Sequence, residues 1–258
     1  MQAQRSAMVQ GTLASEARHR WIAERLAAAG EVTIADAAAE LGVSEMTIRR
    51  DLAELEHRGA ARRVRGGAQA AGPQTFAARR HTAGRAKARI ASKLAAFVPA
   101  TGMVAFDASS TVMRLAAELE GARGLTILTN GPDTFSALQG MPGITPLLTG
   151  GQLDMRTGSL VGPLAGRSAS QLTLQAFFAS AAATDPRFGS LEETLDDADA
   201  KRIIAARAER VILAVDASKL GGRAAAVGLE WDQIDTLVTD LDPTHQALEP
   251  YRDVAHII

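Results

Sequence analysis

The stretch TIADAAAELGVSEMTIRRDLAELEHRGAARRVRGGA, residues 33–68, decides how this chain is organised. Its first half predicts two short helices joined by a tight turn at Gly42. Thr33 is placed to cap the first helix, and Asp36 stands where an acid favours the positive end of the helix dipole. Ser44 is placed to cap the second helix. The stretch therefore predicts two helices with a defined turn between them.

The second of these helices is predicted to bury one face and expose the other. Ile48, Leu52 and Leu55 recur at i, i+4 and i+7, which is the spacing of a buried stripe. Because basic and hydroxyl side chains lie on the opposite side, this is the layout of a recognition helix that enters the major groove of DNA. The DNA-contacting residues predicted on this face and at the two caps are Thr33, Ser44, Met46, Thr47, Arg49, Arg50 and His57.

A short basic ribbon follows the second helix. Arg62, Arg63 and Arg65 surround Val64, and a pair of glycines closes the segment. A β-ribbon of this kind beside a recognition helix is predicted to be a wing whose arginines lie along DNA phosphates. The alternative is an ordinary pair of helices with a solvated basic tail. The order of turn, cap, helix and arginine ribbon favours the DNA-binding interpretation.

These residues resemble a known family. The segment VSEMTIRRDLAELEHRGAARRVRGGA, residues 43–68, is similar to the winged helix-turn-helix signature of the DeoR family of bacterial transcription regulators. The resemblance implies sequence-specific DNA binding, usually repression, that a small phosphorylated sugar-type ligand relieves or alters. We therefore expect a double-stranded DNA operator as partner. We also expect a dimer or tetramer, because symmetric half-sites increase specificity.

Composition limits the remaining functional classes. The chain has 258 residues, of which 47% are hydrophobic, and this length suits a small domain followed by a larger one. The net charge is −1, so any DNA affinity is concentrated locally. The chain has no cysteine, and its five histidines lack metal-ligand spacing, so we expect no metal site. No secretory signal or run of about 18 apolar residues occurs, so we expect a cytoplasmic protein without membrane contact.

The chain is predicted to have two domains, an α+β winged helix-turn-helix and an α/β domain with an open, mainly parallel sheet. The predicted segments are a disordered tail at residues 1–14, the winged helix-turn-helix at 15–70, a linker at 71–84 and the α/β domain at 85–258. In the last segment apolar strands alternate with helices. The predicted strands are residues 103–107, 125–130, 144–151, 177–183, 210–216 and 236–240. The segment TGSLVG, residues 157–162, is predicted to be a loop.

Polar or glycine residues follow four of these strands. After the first strand, Asp107 precedes a run of hydroxyls that opens a helix, where backbone N–H groups bind phosphate or carboxylate. Taken singly, each of these groups is commonly only a cap, a turn or a surface loop. Because ligands bind beyond the carboxyl ends of parallel strands, their joint placement predicts one ligand site. Its residues are Asp107, Ser109, Ser110, Thr111, Asn130, Gly150, Gly151 and Lys219.

The same segments resemble the effector domain of the DeoR family, which is related to the ribose-phosphate isomerase fold. The resemblance implies that the three hydroxyl residues 109–111 hold a phosphate, that Asn130 and the two glycines line the pocket, and that Lys219 adds positive charge. It implies that Asp107 orients ligand hydroxyls or the loop. The expected effector is a sugar phosphate, and no other cofactor is expected.

The chain departs from the family pattern at two loops. Ser109 stands where the first loop usually has glycine, and Ala179 and Ala182 replace glycines after the fourth strand. These departures imply an unusual ligand or a narrower pocket.

Two other functions are alternatives for the second domain. One is a sugar-phosphate isomerase in which Asp185 or Glu192 acts as the base and Lys219 as its electrostatic partner. The other is a domain that serves only oligomerisation. We predict no catalysis and no catalytic residues, because a DNA-binding module serves no catalytic purpose.

Overall fold

The computed structural model describes residues 2–57, 60–70, 76–119 and 121–258. The chain divides into two compact units, Met1–Thr82 and Ala83–Ile258, which are described separately below. Among the described residues, no helix combines the length and the apolar character needed to cross a bilayer.

The first unit combines helices with a small antiparallel sheet. Its three strands are hydrogen-bonded in the order β1-β3-β2, so that the segment preceding α2 joins the ribbon that follows α3. The helices are α1 (Gln2–Ala29), α2 (Ile34–Leu41), α3 (Glu45–His57) and α4 (Phe76–His81). The strands are β1 (Glu31–Thr33), β2 (Ala61–Val64) and β3 (Gly67–Ala70).

The local signals around the turn are confirmed. The Thr33 hydroxyl accepts the N–H of Asp36 at 3.0 Å and caps α2. Gly42 ends that helix with φ 62°, a left-handed conformation that glycine adopts without a Cβ clash. The Ser44 hydroxyl accepts the N–H of Thr47 at 3.2 Å and caps α3. These caps satisfy helix-end N–H groups that have no intrahelical acceptor.

The predicted buried stripe of α3 forms the centre of the first core. Ile48, Leu52 and Leu55 are buried and pack in one cluster with Ile22 and Leu26 of α1. Burying each of these side chains contributes about 1.5–3 kcal/mol to folding. This packing holds α3 by its inner side and leaves its outer side to solvent.

The edges of the first unit differ from the prediction. The segment 1–14, predicted to be disordered, is helical from Gln2 onward as the first part of α1. That segment lacks an apolar stripe, but it contains three Gln, three Ala and two Met, which favour helix. The predicted linker 71–84 lies partly outside the described residues, at 71–75. Phe76–His81 forms α4, with Phe76 buried, and the Thr82 hydroxyl donates to the carbonyl of Ala29, so this part belongs to the first unit.

The second unit is built on a six-stranded sheet with the order β14-β12-β9-β4-β5-β6, in which all neighbouring strands run parallel. All six predicted strands are present. They are β4 (Gly102–Phe106), β5 (Leu125–Thr129), β6 (Ile144–Leu148), β9 (Ala176–Ala179), β12 (Val211–Ala214) and β14 (Thr236–Val238). The α-helices are α5 (Gly84–Ala95), α6 (Pro132–Leu138), α7 (Pro163–Ser170) and α8 (Leu195–Ala205).

The sheet is covered on both faces, which explains the continuous apolar runs of its strands. Alternate residues enter different cores: Phe106 and Phe178 lie in the core with α5, whereas Ala105 and Phe177 lie in the core with α7 and α8. The rings of Phe106 and Phe178 meet edge to face with centroids 5.3 Å apart. The carboxyl ends of the strands therefore emerge from a rigid, fully packed layer.

Three features of the second unit differ from the sequence prediction. The fourth strand ends at Ala179 rather than at residue 183. The chain then enters an antiparallel sheet of β10 (Ala183–Asp185), β11 (Gly189–Glu192) and β13 (Ala226–Val227). The predicted loop 157–162 contains β8 (Ser159–Val161), which pairs with β7 (Gln152–Asp154). The helix predicted to begin at the hydroxyl run after Asp107 is a 3₁₀ helix, Val112–Glu118. Most of the missed strands, such as QLD, ATD and GSLE, form neither an apolar run nor a sustained alternation, so periodicity does not reveal them.

Candidate DNA interface and ligand site

The outer face of α3 presents the side chains predicted to meet DNA. Met46 is 62% exposed, and Arg49, Arg50 and His57 are also exposed. Arg49 donates to the carboxylate of Glu45 at 3.2 Å, an ion pair one turn apart on the helix. Arg50 makes no hydrogen bond or ion pair within the described parts of the chain. Its guanidinium is therefore available to an external acceptor.

Thr33 and Ser44 are exposed at the amino ends of α2 and α3, where their hydroxyls act as caps. The Ser44 hydroxyl also lies 3.0 Å from that of the half-buried Thr47. The hydroxyls of Ser44 and Thr47 therefore lie at the start of the recognition helix, whereas that of Thr33 lies at the start of α2. Their contact with DNA stays a prediction.

The wing carries its arginines on β2 and on the following turn. Arg62 donates to the side-chain oxygen of Gln69 at 2.5 Å. The Arg63 backbone N–H donates to Glu56 at 2.9 Å, while its guanidinium lies 4.0 Å from the same carboxylate. Arg65 is exposed and has no hydrogen bond or ion pair with any described residue. The wing therefore carries three cationic side chains, as phosphate contacts require, and Arg63 joins it to α3 through Glu56.

The sequence did not predict a buried ion pair that holds α3 against α1. Asp51 lies on the inner side of α3 and is only 5% exposed. Its carboxylate accepts two hydrogen bonds from the Arg18 guanidinium, at 2.6 and 3.0 Å. The ring of His19 lies 3.1 Å from the same carboxylate. The position of an acid next to the apolar stripe of α3 could have indicated a buried ion pair. The sequence of α3 does not show the partners, because they lie on α1. This contact ties α1 to the recognition helix.

In the second unit, the loops after β4 and β5 are in close contact. A Cβ at Gly131 would lie 2.8 Å from the Cα of Ala108, so the two loops approach backbone to backbone. The loop after β5 also contacts β8, because the carbonyl of Asn130 accepts the N–H of Leu160 at 2.7 Å. Beside it, Gly151 has φ 116° and its Cβ position would lie 2.6 Å from the carbonyl of Val161. The structure thus brings Asp107, Asn130 and the glycine pair to one edge of the sheet.

Asp107 organises the loop after β4. One carboxylate oxygen accepts the N–H of Ser109 at 3.0 Å and the other accepts the N–H of Ser180 at 2.7 Å. The Ser109 hydroxyl in turn accepts the N–H of Val112 at 3.0 Å and starts the 3₁₀ helix. Ser109 therefore occupies the family's glycine position without a left-handed backbone, since Ala83 is the one non-glycine residue with positive φ in the described chain.

A lysine that sequence reasoning missed also reaches this loop. Lys87 of α5 is buried and donates to the hydroxyl of Ser110 at 3.0 Å. Ser110 and Thr111 are themselves buried. The available signal was the position of Lys87 on the same stripe of α5 as Ile90. The hydroxyl loop, residues 109–111, is therefore contacted by a buried lysine.

Asn130 holds an unsatisfied acceptor. Its side chain is 5% exposed, and its amide N–H donates to the carbonyl of Leu160 at 3.3 Å. Its Oδ1 has no hydrogen-bond partner among the described residues. Because buried acceptors are nearly always paired, this oxygen is suited to receive a donor from a bound molecule.

An ionic cluster lies directly behind Asp107 and was also missed. Lys201 of α8 is buried, contacts Glu192 at 2.6 Å and Asp107 at 3.8 Å, and donates to the carbonyl of Ser180. Burial raises the pKa of Glu192 to about 7, although the Lys201 ammonium opposes that shift. Burial raises the pKa of Asp107 as well. The available signal was a lysine on the buried face of α8, next to Ala198 and Ile204.

Lys219 is half-buried in the 3₁₀ turn Ala217–Lys219 after β12. Its ammonium has no hydrogen bond or ion pair in the described chain. The isomerase alternative paired Glu192 with Lys219, but the cation at Glu192 is Lys201. Its other candidate base, Asp185, accepts the N–H of Arg187 at 2.8 Å. Among the described residues, no group of acids and histidines is arranged to hold a metal ion.

Two family models together cover most of the chain. The model of the DeoR C-terminal sensor domain matches residues 82–241, and that of the DeoR-like helix-turn-helix domain matches residues 18–74. The chain belongs to the DeoR family. The predicted DNA-binding residues all fall inside the helix-turn-helix match, and the predicted effector residues all fall inside the sensor-domain match.

Curated DeoR-type relatives align with nearly the whole chain. The chain is 32% identical to the HTH-type transcriptional regulator GlpR of Haloferax volcanii, over 86% of this chain and 89% of that protein. It is 28% identical to the glycerol-3-phosphate regulon repressor of Escherichia coli, over 92% of this chain and 95% of that protein. Among solved structures, ribose 5-phosphate isomerase A from Neisseria gonorrhoeae is similar at 17% identity and a TM-score of 0.38, over 56% of this chain and 55% of that chain.

Proposed function

We propose that this DeoR-family protein is a DNA-binding transcription repressor of a carbohydrate-metabolism operon, controlled by a phosphorylated metabolite. The observation that carries the DNA-binding function is the outer face of α3. That helix is held by a buried stripe and by Asp51, while Arg50 projects without a partner in the described chain. The relatives named above are transcription regulators rather than enzymes.

The proposed effector is a phosphorylated sugar or polyol. A phosphate would be received by the hydroxyl loop 109–111, with Lys87 behind it and Lys219 as a further cation. The Oδ1 of Asn130 is buried and has no hydrogen-bond donor among the described residues. A hydroxyl of the ligand would supply that donor. The relative named for the glycerol-3-phosphate regulon supports the same class of compound. No other cofactor is part of the proposal.

We further propose that the repressor binds its operator as a dimer or tetramer, in the cytoplasm where that DNA is accessible. A single recognition helix contacts few bases, and two related by symmetry read two half-sites. The effector would bias the arrangement of the DNA-binding domains, which requires unequal affinity for the two arrangements.

Capture of genomic fragments tests the DNA-binding function. The purified full chain is incubated with sheared DNA of its source organism, and the retained fragments are sequenced and titrated in gel shifts. We expect a few fragments to be enriched, each containing two related half-sites about 10 bp apart or a multiple of that spacing. Retention of fragments in proportion to their abundance would contradict a sequence-specific regulator.

Thermal denaturation of the full chain tests the effector class. Glycerol 3-phosphate, ribose 5-phosphate and hexose 6-phosphates are each compared with the unphosphorylated compound. A ligand at 100 times its Kd is expected to add about 2.7 kcal/mol of stability. Asn130→Ala should reduce the response, whereas Ser136→Ala, an exposed hydroxyl on α6, should keep it. If no phosphorylated compound acts, or the unphosphorylated ones act equally, this effector class is wrong.

A further inference from the structure

Met46 is an unusual side chain on the outer face of α3. Within the described side chains of the first unit, it is the one large apolar group that is exposed, at 62%. It lies in the first turn of α3, opposite the buried stripe of Ile48, Leu52 and Leu55. Exposure of an apolar side chain to water is unfavourable, so covering Met46 with an apolar group of the DNA would stabilise the complex.

The surroundings of Met46 are charged and basic. Arg50 lies one turn further along the same face, and the Glu45–Arg49 ion pair lies beside it. This charge fits nucleic acid and disfavours an apolar protein partner. In the major groove, the apolar group that a base offers is the C5-methyl of thymine.

We infer that Met46 is a specificity-determining residue that recognises a thymine in the operator by packing against its C5-methyl group. This inference rests on the proposed DNA-binding function and specifies what one residue reads. It requires no hydrogen bond, because the flexible thioether chain of methionine adapts to irregular apolar surfaces.

The position of Arg50 restricts where that thymine lies. Residues four apart on a helix are separated by about 6 Å along its axis, and base pairs are stacked about 3.4 Å apart. Arg49 is already paired with Glu45, whereas Arg50 has no partner in the described chain, so Arg50 is the arginine that reads a guanine. The thymine recognised by Met46 therefore lies within about two base pairs of that guanine.

Replacement of thymine by deoxyuridine in the captured operator tests the contact. The substitution removes the methyl group and leaves base pairing and groove hydrogen bonds intact. We expect one thymine per half-site at which deoxyuridine weakens binding of the unmodified protein by about fourfold, the value of one buried methyl group. The Met46→Ala variant should bind the thymine operator about as weakly as the unmodified protein binds the deoxyuridine operator. Its affinity should not change when deoxyuridine replaces thymine at that position.

Matched variants separate this effect from folding and assembly. Met155→Ala removes a methionine that is 78% exposed in the second unit and should leave the deoxyuridine response unchanged. The melting temperature and sedimentation of Met46→Ala should equal those of the unmodified protein. The inference is overturned if no thymine responds, if Met46→Ala keeps the response, or if it changes the assembly state. Failure to enrich any genomic fragment would overturn the proposed function itself and this inference with it.

Discussion

Arg50 and Arg63 carry the same charge, but the structure gives them different surroundings. Arg50 projects from the outer face of α3 beside Met46, where a recognition helix reaches base edges. Arg63 lies on β2, with its guanidinium 4.0 Å from the carboxylate of Glu56. A guanidinium beside bases discriminates between sequences, whereas one along the backbone contributes charge alone.

Substitution of these two arginines should therefore have different consequences. Arg50→Ala is expected to weaken operator binding by about 1–3 kcal/mol while leaving non-specific binding nearly unchanged. Arg63→Ala is expected to weaken binding to all sequences and to reduce the slope of log K against log salt by about 0.9. Gel shifts at several salt concentrations measure both effects. Arg156→Ala, on the second unit, serves as the control, and equal behaviour of Arg50→Ala and Arg63→Ala would contradict the assigned roles.

At the scale of elements, the wing depends on a close approach of two strands. Thr33 of β1 is paired with Gly67 of β3, and the N–H of Ile34 donates to the carbonyl of Gly66 at 2.9 Å. A Cβ at Gly67 would overlap the carbonyl oxygen of Val32. The wing is therefore joined to the start of α2 through a position that excludes any side chain.

Gly67→Ala is expected to displace β1 from β3, to destabilise the first unit by about 1–3 kcal/mol and to weaken DNA binding at every sequence. Gly66→Ala is the matched comparison. Gly66 has φ 89° with open space around it, so alanine there adds backbone strain of about 1–2 kcal/mol without a collision. Thermal unfolding and gel shifts measure both variants. Gly67→Ala with unchanged melting and unchanged affinity would show that the close approach is unimportant.

The elements also show what local patterns can predict. The caps of α2 and α3, the buried stripe of α3 and the six parallel strands were predicted because each is specified by residues a few positions apart. The β7–β8 hairpin and the small antiparallel sheet were missed because most of their short strands, such as QLD, ATD and GSLE, contain polar residues and glycine instead of an apolar run. Asp51 was missed because its partners lie on α1.

At the scale of the whole molecule, the second unit contains a charge imbalance in its interior. One lysine, Lys201, is shared by the carboxylates of Glu192 and Asp107, which belong to different parts of the fold. Burial raises the pKa of Glu192 from its ordinary value to about 7 and raises that of Asp107. The folded protein therefore holds a proton on Glu192 at pH values where the unfolded chain has lost it.

This difference predicts a pH dependence of stability. Because Glu192 binds a proton in the folded state but not in the unfolded chain between about pH 4.5 and 7, its contribution to the free energy of unfolding should fall as pH rises through this window, by at most about 3–4 kcal/mol. Urea denaturation of the full chain at a series of pH values measures it. Glu192→Gln should flatten the dependence, whereas Glu193→Gln, at the neighbouring position, should keep it. A stability that rises with pH over this window in the unmodified protein would contradict the prediction.

The sequence by itself determined α2, α3, the six parallel strands and the type of the DNA-binding face. Periodicity, capping and turn chemistry act over a few residues, so α3, its outward arginines and the strand ends followed from the sequence. The tertiary structure alone decided which polar groups are satisfied and which are left over. Residues far apart in the chain meet at Asp107, Glu192 and Lys201, while the Oδ1 of Asn130 is buried without a donor among the described residues. Such pairings depend on distances through space, and no local pattern encodes them.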